Sequence, residues 1–161
     1  LAESLANQGQ GMIYSMNFGN GGTSVDPTGI ITYLSPNSTG TNASLYNQTY
    51  TKVIDDNSIN NTDPTRNKIE TRHVSGTNYT DIVATCLLDY GEPSGQDALD
   101  NATSSSSLYV FDELGLVSYA TSGTGRLLTH VIFHPVQKSL NRLIQIDYTV
   151  RVQSLTGFNE A

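Results

Sequence analysis

The stretch RLIQIDYTVRVQ, residues 142–153, decides the fold class that the sequence predicts. Apolar and polar residues alternate along it, and the apolar positions are Ile144, Ile146, Tyr148, Val150 and Val152. Because successive side chains of a β-strand point to opposite faces, the alternation places these residues on one face. We predict a long or central strand whose apolar face belongs to the core.

Three segments upstream also have the composition of strands. They are YTDIVATCLLDY (79–90), SSLYVFDELGLVSYA (106–120) and RLLTHVIFHP (126–135). Turn-forming sequences rich in Gly, Pro, Ser and Asp separate them, for example DYGEPSGQD at 89–97. Short strands at this spacing are typical of antiparallel sandwiches. We therefore predict an all-β chain that forms one antiparallel β-sandwich or jelly-roll-like domain.

The first part of the chain, residues 1–66, differs from the rest in composition. It is rich in Asn, Thr, Ser and Gly and has only short apolar pieces, with one short helix-like stretch, LAESLAN, at its start. We predict that residues 1–66 form a loop-rich part or an extended arm with short strands, and that residues 67–161 form the sandwich core. A long segment without a core of its own becomes ordered mainly by packing on something else. The residues predicted to contact neighbouring subunits are Ile13, Ile31, Tyr33, Tyr46 and Val53.

The balance of charge limits the classes of partner. The chain has a net charge of −7 and only 8 Lys and Arg residues, so we expect no surface that binds nucleic acid. No apolar run approaches the roughly 18 residues of a membrane-spanning helix, and we expect no membrane partner. Charged residues make up 14% of the chain, against about 25% in ordinary soluble domains. A neutral polar surface of this kind favours permanent contact with other protein or an extracellular setting.

Two groups of residues are candidate metal ligands. His130 and His134 have the spacing by which a helix chelates a metal, but the stretch around them favours a strand and Pro135 follows at once. On a strand the two rings would lie roughly 13 Å apart, too far for one zinc ion. The segment IDDNS at 54–58 offers hard oxygen ligands without the spacing of a calcium-binding loop. We therefore expect neither a metal nor a cofactor.

Each pattern that could indicate catalysis lacks a necessary residue. In GEPSG, residues 91–95, a proline stands where a nucleophile elbow needs its serine. The glycine-rich FGNGG, residues 18–22, could hold a phosphate, but no Lys-Ser/Thr and no helix follow it, so a flexible loop is predicted. Asp112 and Glu113 are adjacent, and neighbours on a strand diverge whereas neighbours in a turn are solvated. We expect no enzyme and no catalytic residues.

The C-terminal third carries a resemblance to a known class of protein. Its motifs are FDELGL at 111–116, a strand with LLTH, the step HPVQKS at 134–139, and a last strand with the pattern Tyr-x-Val-x-Val. Over residues 106–153 this order resembles structural proteins of tailed-bacteriophage virions and is similar to the fibre-attachment domains of tail-collar proteins. The resemblance implies that Glu113, Leu114 and Gly115 form a strand-to-turn corner, with Leu116 packed beneath it and Lys138 in the step before the last strand.

The same resemblance implies a function without catalysis. The chain would be a structural subunit of a virion, most simply a tail, baseplate or neck component that contacts neighbouring subunits or fibres. Its partners would be other virion proteins and copies of itself, and its location the extracellular particle, assembled in the host cytoplasm. Three alternatives remain open: a capsid decoration (cement) protein, a carbohydrate-binding β-sandwich module, and a hydrolase with a dispersed site. A glycan array and a broad hydrolase panel discriminate the last two.

Overall fold

The computed structural model describes residues 11–37, 43–96, 109–121 and 125–155. These residues form β-strands joined by turns and loops, without an α-helix, so the all-β prediction is confirmed. No helix in this described part is long and apolar enough to span a membrane. The helix-like stretch LAESLAN lies outside the described residues. The strands are β1 (Ile13–Gly19), β2 (Thr23–Val25), β3 (Ile31–Tyr33), β4 (Gln48–Val53), β5 (Lys68–His73), β6 (Tyr79–Leu88), β7 (Val110–Ser118), β8 (Val131–Gln137) and β9 (Ile144–Gln153).

Two antiparallel sheets enclose the core. One sheet has the order β4-β1-β7-β8 and the other the order β5-β6-β9, while β2 and β3 form a separate hairpin. The core residues come from both sheets, which gives the sandwich-like architecture that the strand spacing predicts. The buried members of the core are Met16, Phe18, Ile54, Ala84, Cys86, Leu88, Phe111, Leu114 and Leu116.

Strand β9 has the face that its alternation predicts. Its first four apolar residues, at 144, 146, 148 and 150, pack against the core, whereas Val152 is 42% exposed and does not belong to it. The strand is long but not central, because β6 is its only strand neighbour in the described part of the chain. Val152 is the second-last residue of the strand and lines a cavity together with Met12 and Ile13.

The predicted division at residue 66 does not coincide with a boundary in the fold. Strand β1 lies between β4 and β7, and its Met16 and Phe18 belong to the common core. The segment 17–66 is therefore largely part of the domain and not an arm that awaits a neighbour. The sequence of β1 gave little indication of a buried strand. Its outward side chains, Ser15 and Asn17, are polar, although they are only 4% and 2% exposed.

A β-bulge in β7 overturns the predicted corner at Glu113, Leu114 and Gly115. These residues lie inside β7 and not at its end. The pairing of β7 with β8 shifts between Phe111 and Glu113, and the core residues Phe111 and Leu114 are three positions apart instead of two. Such a bulge re-aims side chains. The adjacent Asp112 and Glu113 thus both lie outside the core, yet both are buried.

The packing of β9 predicts unequal effects at neighbouring positions. Ile146 pairs with Cys86 and packs on the core, whereas the side chain of Gln145 is exposed. Ile146→Ala should lower the free energy of unfolding by about 2 kcal/mol, the low end for a core truncation because the side chain is only half-buried. Gln145→Ala should change it by less than about 0.5 kcal/mol. Urea unfolding measures both, and equal losses would contradict this assignment of the faces.

The buried thiol predicts a loss of stability at high pH. Burial raises the pKa of Cys86 from 9.0 to about 12. Between these values the unfolded chain releases the thiol proton and the folded chain retains it, so stability should fall as pH rises above 9, by up to about 1.4 kcal/mol per pH unit. Unfolding free energies at pH 8 to 10 should show a smaller decline in Cys86→Ala than in the unchanged chain. Parallel pH profiles would contradict the prediction.

Candidate functional site

The carboxylate of Glu113 is the centre of a polar network on the outer side of β7. Its side chain is completely buried. Oε1 accepts hydrogen bonds from the backbone N–H groups of Gly21 at 3.1 Å and Asn47 at 2.8 Å. Oε2 accepts from the N–H of Tyr46 at 2.9 Å and from His130 Nε2 at 2.8 Å. One side chain therefore holds two loops, one after β1 and one before β4, against β7.

The hydrogen bonds of His130 define its tautomer. Its Nδ1 accepts from the backbone N–H of Asn37 at 2.8 Å, so the ring proton is on Nε2 and is donated to Glu113. His134 is exposed, and its Nδ1 lies 3.3 Å from the hydroxyl of Tyr33. The structure thus separates the two histidines and gives each its own partner. Among the residues that the structure describes, Asp55 included, no group of three His, Cys, Asp or Glu side chains is placed to hold a metal ion.

Asp112 fastens the beginning of the β2–β3 hairpin. Its Oδ1 accepts from the N–H of Gly22 at 2.9 Å, and its Oδ2 accepts from the N–H of Thr23 at 3.0 Å and from the Thr23 hydroxyl at 2.5 Å. The N–H of Leu34 donates to the carbonyl of Gly22 at 2.9 Å and closes the base of the hairpin. Asp112 is 3% exposed, so these are buried, charge-assisted bonds.

The FGNGG segment is neither a phosphate cradle nor a flexible loop. Its backbone N–H groups at Gly21 and Gly22 point to carboxylates of the same chain. A Cβ atom on Gly19 would lie 2.4 Å from the carbonyl oxygen of Asn47 and 2.5 Å from Glu113 Oε1. Glycine is therefore required for the close approach of the two loops to Glu113.

The hairpin presents a group of exposed apolar side chains, which we call the hairpin patch. They are Val25, Ile30, Tyr33 and Leu34, with exposed fractions of 61%, 63%, 51% and 42%. The turn between the strands is fixed, because Asp26 Oδ1 accepts from the N–H groups of Thr28 and Ile30. The hydrogen bonds from Thr28 and then Ile30 hold the pKa of Asp26 below its usual range. The pairing of β2 with β3 puts Val25 and Tyr33 on one face of the hairpin, so these exposed side chains stand on an ordered support.

The predicted contact residues divide into two groups. Ile13 packs against the core of its own chain, and Val53 is half-buried on the edge strand β4, where it pairs with Ser15. Ile31 is half-buried in β3. Tyr33 and Tyr46 are exposed, and only Tyr33 belongs to the hairpin patch. Sequence reasoning missed Val25, Ile30 and Leu34, whose signal is the apolar residues on both sides of the turn sequence DPTG.

A second group of charges lies at one end of the sandwich. Lys52 forms an ion pair with Glu92, and Arg66 pairs with Asp63 at 2.5 Å, beside a pocket of about 250 Å³. Near this group, Lys138 donates to the carbonyl of Ser139 at 3.0 Å, and burial lowers its pKa. These cations are already bound by groups of the same chain, so they stabilise the end of the fold.

The GEPSG turn beside this pocket has a structural role. The peptide bond between Glu92 and Pro93 is cis, and the carbonyl of Ser94 accepts from the hydroxyl of Tyr109 at 3.2 Å. In the part of the chain that the structure describes, no histidine or carboxylate is hydrogen-bonded to the Ser94 hydroxyl. The segment is organised as a turn.

Comparisons with known proteins give no further guide to the chain. No known protein family matches it, and neither a characterised protein nor a solved structure shows significant similarity to it.

The network around Glu113 predicts a large effect of a conservative change. Glu113→Gln places an amide group against N–H donors and should lower the free energy of unfolding by at least about 3 kcal/mol. Glu70→Gln, the same substitution in a partly exposed ion pair on β5, should cost less than about 1 kcal/mol. Thermal or urea unfolding compares the two variants, and hydrogen exchange should be faster at Tyr46 and Asn47 in Glu113→Gln. Similar costs in both variants would mean that Glu113 does not hold the loops.

Proposed function

We propose that the chain is a non-enzymatic structural subunit of a protein assembly, and that the hairpin patch is a surface by which it contacts a neighbouring subunit or fibre. The observation that carries the proposal is four large apolar side chains exposed on one anchored hairpin. Exposed apolar side chains that are grouped on one element favour interaction with protein, membrane or ligand. Protein is the partner proposed here, because the chain has few charges and the patch lies on a two-stranded hairpin.

The anchoring of the hairpin favours contact with a partner. Association costs free energy when flexible segments must be ordered, and a segment that is already ordered avoids much of that cost. Asp112 holds the start of the hairpin, and Asp26 holds its turn. Both carboxylates bind to backbone N–H groups, so the conformation does not depend on the apolar side chains. Val25, Ile30 and Leu34 are therefore available for contact, whereas the hydroxyl of Tyr33 also lies 3.3 Å from His134 of the same chain.

The particular assembly we propose is a tailed-phage virion, with a tail, baseplate or neck position first and capsid decoration as the alternative. The support for this part is the resemblance of residues 106–153 to virion structural proteins. Two residues that the resemblance singles out, Glu113 and Lys138, are buried and bind backbone groups, as expected for architectural residues. Electron microscopy of particles that carry a labelled chain separates the alternatives, because label on heads indicates decoration and label on tails indicates the first position.

A pair of matched variants tests the hairpin patch. Ile30→Ser removes a side chain at the hairpin turn, and Ile59→Ser removes the same side chain from the loop between β4 and β5, where it is 98% exposed. Both should leave the free energy of unfolding within about 0.5 kcal/mol of the unchanged chain. When each variant competes with the unchanged chain for incorporation into particles, Ile30→Ser should be incorporated less by about tenfold or more, and Ile59→Ser equally well.

Equal incorporation of the two variants would overturn the hairpin as the contact surface. Glycan-array binding that is lost in Tyr33→Ser would instead favour the carbohydrate-binding alternative, because an exposed tyrosine of the patch would then contact a sugar.

A further inference from the structure

The two sheets have four edge strands, and three of them carry features that discourage pairing with another strand. Strand β8 contains Pro135 and pairs irregularly with β7. Strand β5 has a row of charges at Lys68, Glu70 and Arg72. In strand β4, Lys52 pairs with the core residue Met16 of β1. Its side chain therefore lies on the core side of the sheet. Proline, charge rows, inward-pointing charges and irregular pairing are the usual means by which proteins protect sheet edges.

Strand β9 has no proline, no irregular pairing and no inward-pointing charge. It is 10 residues long, contains no proline, glycine or lysine, and pairs with β6 in an unbroken register from Ile144 to Gln153. Its charged residues, Asp147 and Arg151, both point away from the core. No other described strand pairs with its second edge. A long regular edge of this kind is a template for a further strand.

The side of the sandwich next to β9 is also open. An apolar cavity of about 200 Å³ lies between the two sheets there, lined by Phe133 and Val136 of β8 and by Ile144 and Ile146 of β9. Val136 is partly exposed, and the apolar side chains of β9 are only half-buried. Protein added beside β9 would therefore remove apolar surface from water as well as satisfy backbone hydrogen bonds.

We propose that β9 pairs with β9 of a second copy of this chain, antiparallel about a two-fold axis at Thr149, and so joins two three-stranded sheets into one. The argument for a second copy is the charge pattern of the strand. With the axis at Thr149, Asp147 lies opposite Arg151 of the second copy, and the reciprocal pair forms at the same time. Nε and Nη2 of Arg151 already donate to Asp81 of the same chain at 2.8 Å and 3.0 Å, and its guanidinium has further N–H donors for Asp147 of the second copy. Opposite charges in directly facing positions stabilise a strand pair, and the symmetry doubles the effect.

The neighbouring registers lack this complementarity. With the axis at Tyr148, the two charged residues face Thr149 and Gln145 of the second copy, and with the axis at Asp147 two carboxylates face each other. The register at Thr149 also matches the apolar face, because Ile146 lies opposite Val152 of the second copy. This contact covers part of Val152, which is 42% exposed in the single chain.

A charge reversal tests the pairing. Asp147→Lys places lysine opposite Arg151 of the second copy at two equivalent positions, whereas Asp56→Lys makes the same change at an exposed position in the turn after β4. Sedimentation equilibrium of the unchanged chain should show a reversible dimer. The dimer dissociation constant should rise by about tenfold or more in Asp147→Lys and remain unchanged in Asp56→Lys. A purely monomeric unchanged chain, or equal dimerisation of all three proteins, would overturn the proposal.

Cysteine substitution tests the register independently of charge. Thr149→Cys brings the two new thiols face to face at the axis, within reach of a disulfide after small adjustments. In Asp147→Cys the two thiols lie roughly 13 Å apart along the strand and should not join. Cys86 is buried in the core and does not compete. Under mild oxidation Thr149→Cys should form a covalent dimer rapidly and Asp147→Cys should not, and equal rates would overturn the register.

This inference does not rest on the proposed function. It concerns an edge of the three-stranded sheet, whereas the hairpin patch belongs to β2 and β3. A dimer that is lost in Asp147→Lys while Ile30→Ser is still incorporated into particles would support the pairing and reject the hairpin contact. If Asp147→Lys dimerises as well as the unchanged chain while Ile30→Ser is incorporated less, the pairing of β9 is rejected and the hairpin contact is supported.

Discussion

The burial of one carboxylate, that of Glu113, is the constraint on which the outer layer of the structure depends. A buried charge is strongly unfavourable unless hydrogen bonds replace its hydration. Glu113 obtains them from three backbone N–H groups and from His130. Because these donors belong to segments far apart in sequence, solvating the charge also fixes the paths of those segments. The close approach in turn requires a glycine at position 19, where no side chain fits.

The bulge in β7 extends this effect to the hairpin. In a regular strand Asp112 and Glu113 would point to opposite faces, and one of them would enter the apolar core. The bulge between Phe111 and Glu113 allows both carboxylates to leave the core face. Glu113 then binds the loop before β4, and Asp112 binds Gly22 and Thr23 at the base of the hairpin. The apolar hairpin patch is therefore held in place by charge-assisted bonds beneath it.

The sequence predicted the parts of the fold that follow simple periodicity, and it did not predict those that depend on long-range contacts. The alternation in β9 and the apolar run of β6 identified these strands, because each has one face on the core. A short strand around Ile13 was predicted, but its place between β4 and β7 in the core sheet was not, because Ser15 and Asn17 are polar although the chain covers them. The roles of Asp112 and Glu113 were also hidden, because the backbone N–H groups that they bind lie about 66 to 92 positions away. The resemblance over residues 106–153 drew attention to Glu113 but placed it at a corner.

Low charge connects these features to assembly. An isolated soluble domain protects exposed apolar groups and sheet edges with charged side chains, yet only 14% of this chain is charged. Four of these charged side chains, Glu113, Asp112, Lys52 and Lys138, are moreover buried inside the molecule. The hairpin patch and the β9 edge therefore receive little of that protection, and the net charge of −7 is a weak, general repulsion between copies. Surfaces with little protecting charge favour specific partners. Binding removes water from them, and only a partner that matches the apolar residues and the order of Asp147 and Arg151 compensates for the lost hydration.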